Sequence, residues 1–342
     1  MKSKFRNPTS IEEPRELSST FPELQPALLF RDNLISLLRD KFTEANRKIV
    51  VVRGVTGSGK TTLLAQFVAD NAYHCVSYFV GRDIWTSQPY TFLFDTSNQI
   101  LRILGKKPVP ETIEYARLKQ VFSNALGSLY SHSRNQNERF YIVVDSLDRA
   151  AKVGEEGLAD LIPTDLRGNV HLLLSSAASL SEQLPEAVYD EQELPSFSSA
   201  ETTQFLADLG FDTRQVLRVQ EASRGFPAYV AEVRRQVSQG ATVDELVRAL
   251  PPLVEDLFRR EWARVVLTDE LRNALALLVF APEPLTIEEW AVIAGVQPTT
   301  ARSWLAILSF LHADQTRGVV DFLSGPFGQF ASEALAPIED YD

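Results

Sequence analysis

Gly54-Val55-Thr56-Gly57-Ser58-Gly59-Lys60-Thr61 decides the reading of this chain, as much by where it stands as by what it contains. It follows the apolar run Lys48-Ile49-Val50-Val51-Val52 and opens a stretch, Thr61 to Asn71, whose Leu64, Phe67 and Val68 recur on one helical side. Strand, glycine-rich turn and amphipathic helix are the context that the GxxxxGK[ST] pattern requires. The glycines let the backbone curl until successive N–H groups face one concavity. The helix N-terminus adds the positive end of its dipole. In that setting Lys60 reaches the β- and γ-phosphates of a nucleotide such as ATP or ADP, and Thr61 offers its hydroxyl to Mg²⁺. Gly54, Val55, Thr56, Gly57, Ser58, Gly59 and the following Thr62 complete the cradle.

The other half of such a site is an acid at the end of a second buried strand. Phe140-Tyr141-Ile142-Val143-Val144-Asp145 supplies one, placing Asp145 at the carboxyl edge of a parallel sheet beside the phosphate loop, where it can hold the metal through water. Asp148, three residues on, is the nearby carboxylate that can orient an attacking water. Its plain alternative is a helix N-cap or loop carboxylate.

Working outward, 342 residues suffice for two or three domains. A hydrophobic fraction of 44% with 23% charged residues is that of a globular protein. The net charge of −11 argues against a general nucleic-acid binder. Cys75, the single cysteine, excludes an intrachain disulfide framework and reads as a core residue within Cys75-Val76-Ser77-Tyr78-Phe79-Val80. His74, His132, His171 and His312 form no metal pattern, and Trp85, Trp262, Trp290 and Trp304 read as anchoring aromatics. The basic start, Met1 to Arg6, is followed by no apolar signal segment, and no run of about 18 apolar residues could span a bilayer. The expectation is a cytoplasmic protein that does not engage a membrane.

Residues 1–27, with Pro8, Pro14, Pro22 and Pro26, read as an extended leader or linker. A helix over Leu28 to Phe42 leads to the strand before the loop, and strands near 74–80, 140–144 and 170–174 alternate with helices at 91–104 and 115–130. Near-continuous apolar strands separated by helices predict a parallel sheet covered on both faces. After about Pro195 the strands stop. Residues 198–250 read as short helices, and Pro251-Pro252 marks a boundary. Residues 251–342 read as helices, a helix-turn-helix from Thr286 to about Leu311, two short strands around Thr316-Arg317-Gly318 and a closing helix. Helices followed by a two-stranded wing predict a winged-helix domain. The fold class is therefore α/β: a P-loop NTPase sheet of the ASCE type over 28–197, a helical lid domain over 198–250 and a winged helix over 251–342.

These motifs together resemble the STAND class of P-loop NTPases, which includes the NACHT and AP-ATPase groups. Asp145-Ser146-Leu147-Asp148 matches its acid, tiny, apolar, acid strand end. Tyr78-Phe79-Val80-Gly81-Arg82-Asp83, followed by a helix through Phe92 and Gln99, resembles its second strand. Leu194-Pro195-Ser196-Phe197-Ser198 with Glu201 resembles the entry to its helical domain, and Gly225-Phe226-Pro227 matches its GxP motif. The resemblance implies that Pro227 lies against adenine and that Phe30 and Arg31 stand where relatives approach it. A packing Phe, a solvated Arg and a helix-start proline are the plain alternatives. Two departures from the class, Ala177 where a γ-phosphate-sensing Arg ends the fourth strand and Arg149 where an acid is common, imply slow hydrolysis.

The resemblance further implies a molecular switch: ADP favours a closed form, and ATP favours an open form that self-assembles. It also implies effector and sensor domains outside this segment, and antiviral defence as the output in prokaryotic members. Two other readings compete with it. One is a DNA-binding, ATP-dependent transcriptional regulator using the winged helix. Residues 251–342 hold six arginines, no lysine and fourteen acids, which disfavours it because phosphate contacts need cations. The other is a constitutive ATPase.

Overall fold

The computed structural model describes residues 18–22, 29–44, 48–81, 85–149, 157–180, 189–281, 283–313 and 318–336. The remainder of the leader, Leu28, Arg82-Asp83 and Thr316-Arg317 lie outside them. The chain divides into two compact units: Met1–Val55 with Lys60–Leu194, and Thr56–Gly59 with Pro195–Asp342.

The first unit is a five-stranded sheet with helices on both faces. In chain order its elements are α1 (Asp32–Glu44), β1 (Ile49–Arg53), α2 (Lys60–Asp70), β2 (Cys75–Phe79), α3 (Pro89–Ile103), α4 (Tyr115–Gln136), β3 (Phe140–Asp145), β4 (Val170–Ser176) and β5 (Tyr189–Glu193). All pairings are parallel, in the order β2-β3-β4-β1-β5. Successive residues of a strand face opposite sides. Ile49 and Val51 thus enter the core built with Phe92, Ile100, Leu118 and Leu129 of α3 and α4, while Val50 and Val52 enter the one built with Leu38, Leu64 and Phe67 of α1 and α2. Burial on both faces is why these strands read as unbroken apolar runs.

β5 escapes the sequence reading because Tyr189-Asp190-Glu191-Gln192-Glu193 is polar and only alternately buried. As an edge strand it needs one partner, β1, and its charges discourage another. The opposite edge is closed by side chains. Gln99 Nε2 donates to Ser77 O at 2.8 Å and Gln99 Oε1 accepts from Ser77 N at 2.8 Å. Phe79 N donates to Thr20 Oγ1, also at 2.8 Å. Ser18, Thr20 and Phe21, read from the sequence as leader, are therefore buried against the sheet. Asp95 accepts from Ser19 N at 3.2 Å, and burial raises its pKa to about 6. Burial likewise pushes the Cys75 thiol up, keeping it a neutral core group.

The second unit contains α5 (Ser199–Leu206), α6 (Thr213–Ser223), α7 (Pro227–Ser238), α8 (Val243–Arg248), α9 (Val254–Trp262), α10 (Asp269–Phe280), β6 (Leu285–Thr286), α11 (Ile287–Ile293), α12 (Pro298–Ile307), β7 (Leu311–Ala313), β8 (Val319–Phe322) and α13 (Gly325–Leu335). Ser198 and Glu201 form a capping box at the start of α5, with Ser198 Oγ accepting from Glu201 N at 3.2 Å. One apolar core runs from Leu206, Val230 and Val233 to Phe258, Trp290, Phe310 and Phe327, so the helical segment and the C-terminal segment share an interior across residue 250. Arg235 sits between Glu232 and Glu261 within it. The three-stranded antiparallel sheet β6-β8-β7 has one strand more than the sequence suggests, because two residues are too few to show alternation. The helix expected to reach Leu311 stops at Ile307. Leu308 and Phe310 are drawn into the core, and Leu311 begins β7. Trp290 is fully buried and Trp304 nearly so, whereas Trp85 is half-exposed.

Candidate nucleotide site

β1 delivers the chain to Gly54 and α2 takes it away at Lys60. Lys60 is buried, and its Nζ donates back to Gly54 O at 2.6 Å and Val55 O at 3.1 Å. The ammonium thus holds the loop curled from inside. Ser58 Oγ is buried and has no hydrogen-bond partner among the described residues, an orphan donor of the kind that a phosphate oxygen satisfies. The apex of the loop groups with the second unit. Gly57 O accepts from Ala228 N at 3.0 Å, and Gly57 has φ +86° with Ala228, Phe226 and Pro326 within 3.0 Å of where a Cβ would lie. Only glycine meets both demands.

Asp145 ends β3 and is 2% exposed. Its Oδ2 accepts from Thr61 Oγ1 at 2.7 Å and from Ser146 Oγ at 3.2 Å, and its Oδ1 accepts from Ser175 Oγ. Ser175 in turn accepts from Ser146 N at 2.9 Å. Ser146 has φ +56°, a left-handed turn that costs a non-glycine residue of the order of 1 kcal/mol. The Ser175 hydroxyl helps hold that turn. Sequence reasoning missed Ser175 because β4, not β3, is the direct neighbour of β1, with Val52 opposite Ser175. Asp145 is therefore one strand removed from β1, and the end of β4 lies between. The signal present in the sequence was a pair of serines closing the apolar run 170–174. Asp148 is exposed, and its Oδ1 accepts from Ala177 N at 3.2 Å.

The donor set fits hydrated Mg²⁺ bound with a nucleotide. One hydroxyl and one carboxylate converge there, and Mg²⁺ keeps several waters and takes phosphate oxygens for the rest. Among the described residues no cluster of three or more His, Cys, Asp or Glu offers an alternative all-protein cage.

Phe30 and Arg31 precede α1; Phe30 is 45% exposed and Arg31 is buried. Pro227 stands at the first position of α7, buried. Its Cβ is 3.9 Å from the position a Cβ on Gly59 would take. The preceding Gly225 (φ +71°) could carry no side chain, since a Cβ there would collide with Phe197 O.

Residues 27–175 match the family model of the AAA ATPase domain, and they enclose the loop, Asp145 and Ser175. This domain is a P-loop NTPase. The likeness of fold extends beyond that domain. The chain aligns with the crystal structure of a Signal Transduction ATPase with Numerous Domains protein, one with a tetratricopeptide repeat sensor, from Pyrococcus horikoshii. The TM-score is 0.52 at 14% identity, over 93% of this chain and 44% of that one, so this NTPase spans less than half the length of that relative. A second similar structure is Drosophila ORC bound to DNA, with a TM-score of 0.45 at 14% identity over 95% of this chain and 98% of that chain. No curated protein matches the sequence. No helix among the described residues is long and apolar enough to cross a membrane.

Proposed function

We propose that this P-loop NTPase is an ATP/ADP switch with slow hydrolysis, the nucleotide-binding and oligomerisation core of a STAND signalling protein. The observation that carries the reading is the meeting of Thr61 Oγ1 with the buried Asp145 carboxylate at 2.7 Å. A nucleotide held there shifts a conformational equilibrium only by its differential affinity for the two states.

In this reading Gly54 to Thr62 cradle the phosphates, with Lys60 neutralising their charge. Thr61 holds Mg²⁺ directly and Asp145 holds it through water, while Asp148 orients the attacking water. Bound Mg²⁺ supplies charge stabilisation at the phosphates. Pro227, Phe30 and Arg31 meet the base. Ala177 follows β4 where members of the class carry a γ-phosphate-sensing Arg, which supports slow turnover. Effector and sensor domains outside this segment, self-assembly on activation and an output such as antiviral defence follow from the resemblance. Arg302, the one cation of α12, is paired with Glu288 at 2.5 Å, which favours a protein-packing role over DNA for that helix.

The test is to identify the nucleotide retained by purified protein and to measure its turnover. Retained ADP and turnover below about 1 s⁻¹ fit the switch. Tens of turnovers per second without a partner would make it a constitutive ATPase.

A further inference from the structure

Arg235 lies on α7, and its guanidinium sits where three elements of the second unit meet. Its Nε and Nη2 donate to the two oxygens of Glu232, on the same helix, at 2.8 and 2.6 Å. Nη2 also donates to Glu261 of α9. Nη1 donates to Gln239 Oε1 at 2.6 Å and to Ser309 O at 3.1 Å, the latter in the turn between α12 and β7. These contacts occupy all five N–H groups of the guanidinium. The acceptors are tied in turn. Ser309 Oγ donates to Glu261, Gln239 Nε2 donates to Ser309 O at 2.9 Å, and Gln236 Nε2 donates to Glu232 Oε1 at 2.8 Å.

α7 belongs to the helical segment before residue 250, whereas Glu261 and Ser309 belong to the C-terminal segment after it. Glu232 and Glu261 are 4% and 8% exposed, so two carboxylates are buried around one guanidinium. The desolvation of such charges roughly cancels their attraction, and apolar residues of the same volume often stabilise as well or better. Stability alone therefore does not account for the knot. What it supplies is a fixed arrangement. A planar fork of directed donors admits one placement of α9 and one of the 308–310 turn against α7. The apolar core passes through the same junction: Val230 and Val233 of α7 share one cluster with Leu257 and Phe258 of α9 and with Phe310. Pro195–Asp342 form one compact unit, although Pro251-Pro252 reads in the sequence as a boundary.

We infer that Arg235 is a clamp that makes residues 195–250 and 251–336 one mechanical body, so that both segments answer a bound nucleotide together and the chain does not bend at Pro251-Pro252. The nucleotide clause rests on the switch reading above; the clamp itself does not. The neighbouring Arg234 provides the contrast. It pairs with Asp208 at 2.6 Å and donates to Phe205 O, both before residue 250, so among the described residues it fastens nothing across the junction.

The experiment places spin labels at Arg218→Cys on α6 and Ser303→Cys on α12, both exposed, in the full chain, whose native Cys75 is buried. Double electron–electron resonance measures the distance between the labels without nucleotide, with ADP and with a non-hydrolysable ATP analogue. Calorimetry reports separately whether each nucleotide binds. The expected result is one narrow distance, the same in all three conditions. Arg235→Lys keeps the charge but puts its donors on a single atom, which cannot span α7, α9 and the 308–310 turn. Its distance distribution broadens, whereas that of Arg234→Lys stays narrow. Circular dichroism reports whether each variant folds. If Arg235→Lys does not, Glu261→Gln carries the test: it leaves the guanidinium charge paired only with Glu232 of its own helix, and it too broadens the distribution. A wild-type distance that shifts between ADP and the ATP analogue overturns the single body. A folded Arg235→Lys as narrow as wild type, or equal broadening in Arg234→Lys, overturns the role of Arg235. A chain that binds neither nucleotide overturns the switch reading, and the nucleotide-free distances then judge the clamp by themselves.

Discussion

Thr61 Oγ1 donates to Asp145 Oδ2 at 2.7 Å across 84 positions of sequence, joining the first turn of α2 to the end of β3. In the proposed reading these are the two groups that would hold a hydrated Mg²⁺. The other oxygen of the carboxylate accepts from Ser175 Oγ, a contact that does not involve Thr61.

Lys60→Ala is expected to lower ATP affinity by about 100-fold, the scale of lost hydrogen bonds to charged phosphate oxygens. Asp145→Asn should keep metal-free nucleotide binding and lose its enhancement by Mg²⁺. Titrations with and without EDTA read both. ATP binding by Lys60→Ala at wild-type strength would end the phosphate-loop assignment.

Ser175→Ala should raise the Mg²⁺ concentration for half-maximal nucleotide binding by about tenfold, as loss of a group that orients a metal ligand does. Metal-free binding should not change. Ser175 is fully buried and the substitution removes only a hydroxyl, so unfolding without nucleotide serves as the control. An unchanged Mg²⁺ requirement would show that Asp145 is held well enough by its other partners.

His171 gives the first unit a pH dependence. Burial, reinforced by Lys48 and Arg139, lowers its pKa to about 4 from 6.5, and it packs as a neutral ring near Phe42 and Tyr141. With the folded value depressed, the unfolded chain takes up the proton first. Its contribution is full above about pH 6.5 and is lost as pH falls towards 4, at most about 3 kcal/mol. Asp95, raised by burial, acts in the opposite sense over an overlapping range, losing stability as pH rises from about 4 to 6. The difference between wild type and His171→Phe isolates the histidine. That difference should grow in favour of the variant between pH 6.5 and 4, measured by urea unfolding at stepped pH. A pH-independent difference would place the histidine's proton affinity in the fold near its ordinary value.

Trp290→Ala should destabilise the second unit by about 3–5 kcal/mol. The indole is fully buried, and its Nε1 donates to Ala274 O at 2.7 Å, so the change opens a cavity and removes a buried hydrogen bond onto α10. Circular dichroism during urea unfolding reads the loss. A change under 1 kcal/mol would mean that the surrounding core refills the space.

The phosphate loop, Asp145 and the doubly covered parallel sheet were legible in the sequence because each is written in neighbouring residues. The P-loop pattern is eight consecutive positions, and buried strands read as apolar runs. What the tertiary structure decided is which distant segments meet. Strand order sets β4 between β1 and β3, and only that order brings Ser175 onto the Asp145 carboxylate. The Gln66 amide finds the backbone of Leu29 and Arg31 more than thirty positions away, and the segments on either side of residue 250 close over one core. Edge strand β5 was hidden because one bonded neighbour and a solvated face leave no apolar pattern to read. Hydrophobic periodicity records how a segment is buried, not what buries it, and the pairing of segments far apart in sequence is settled only when the whole chain packs.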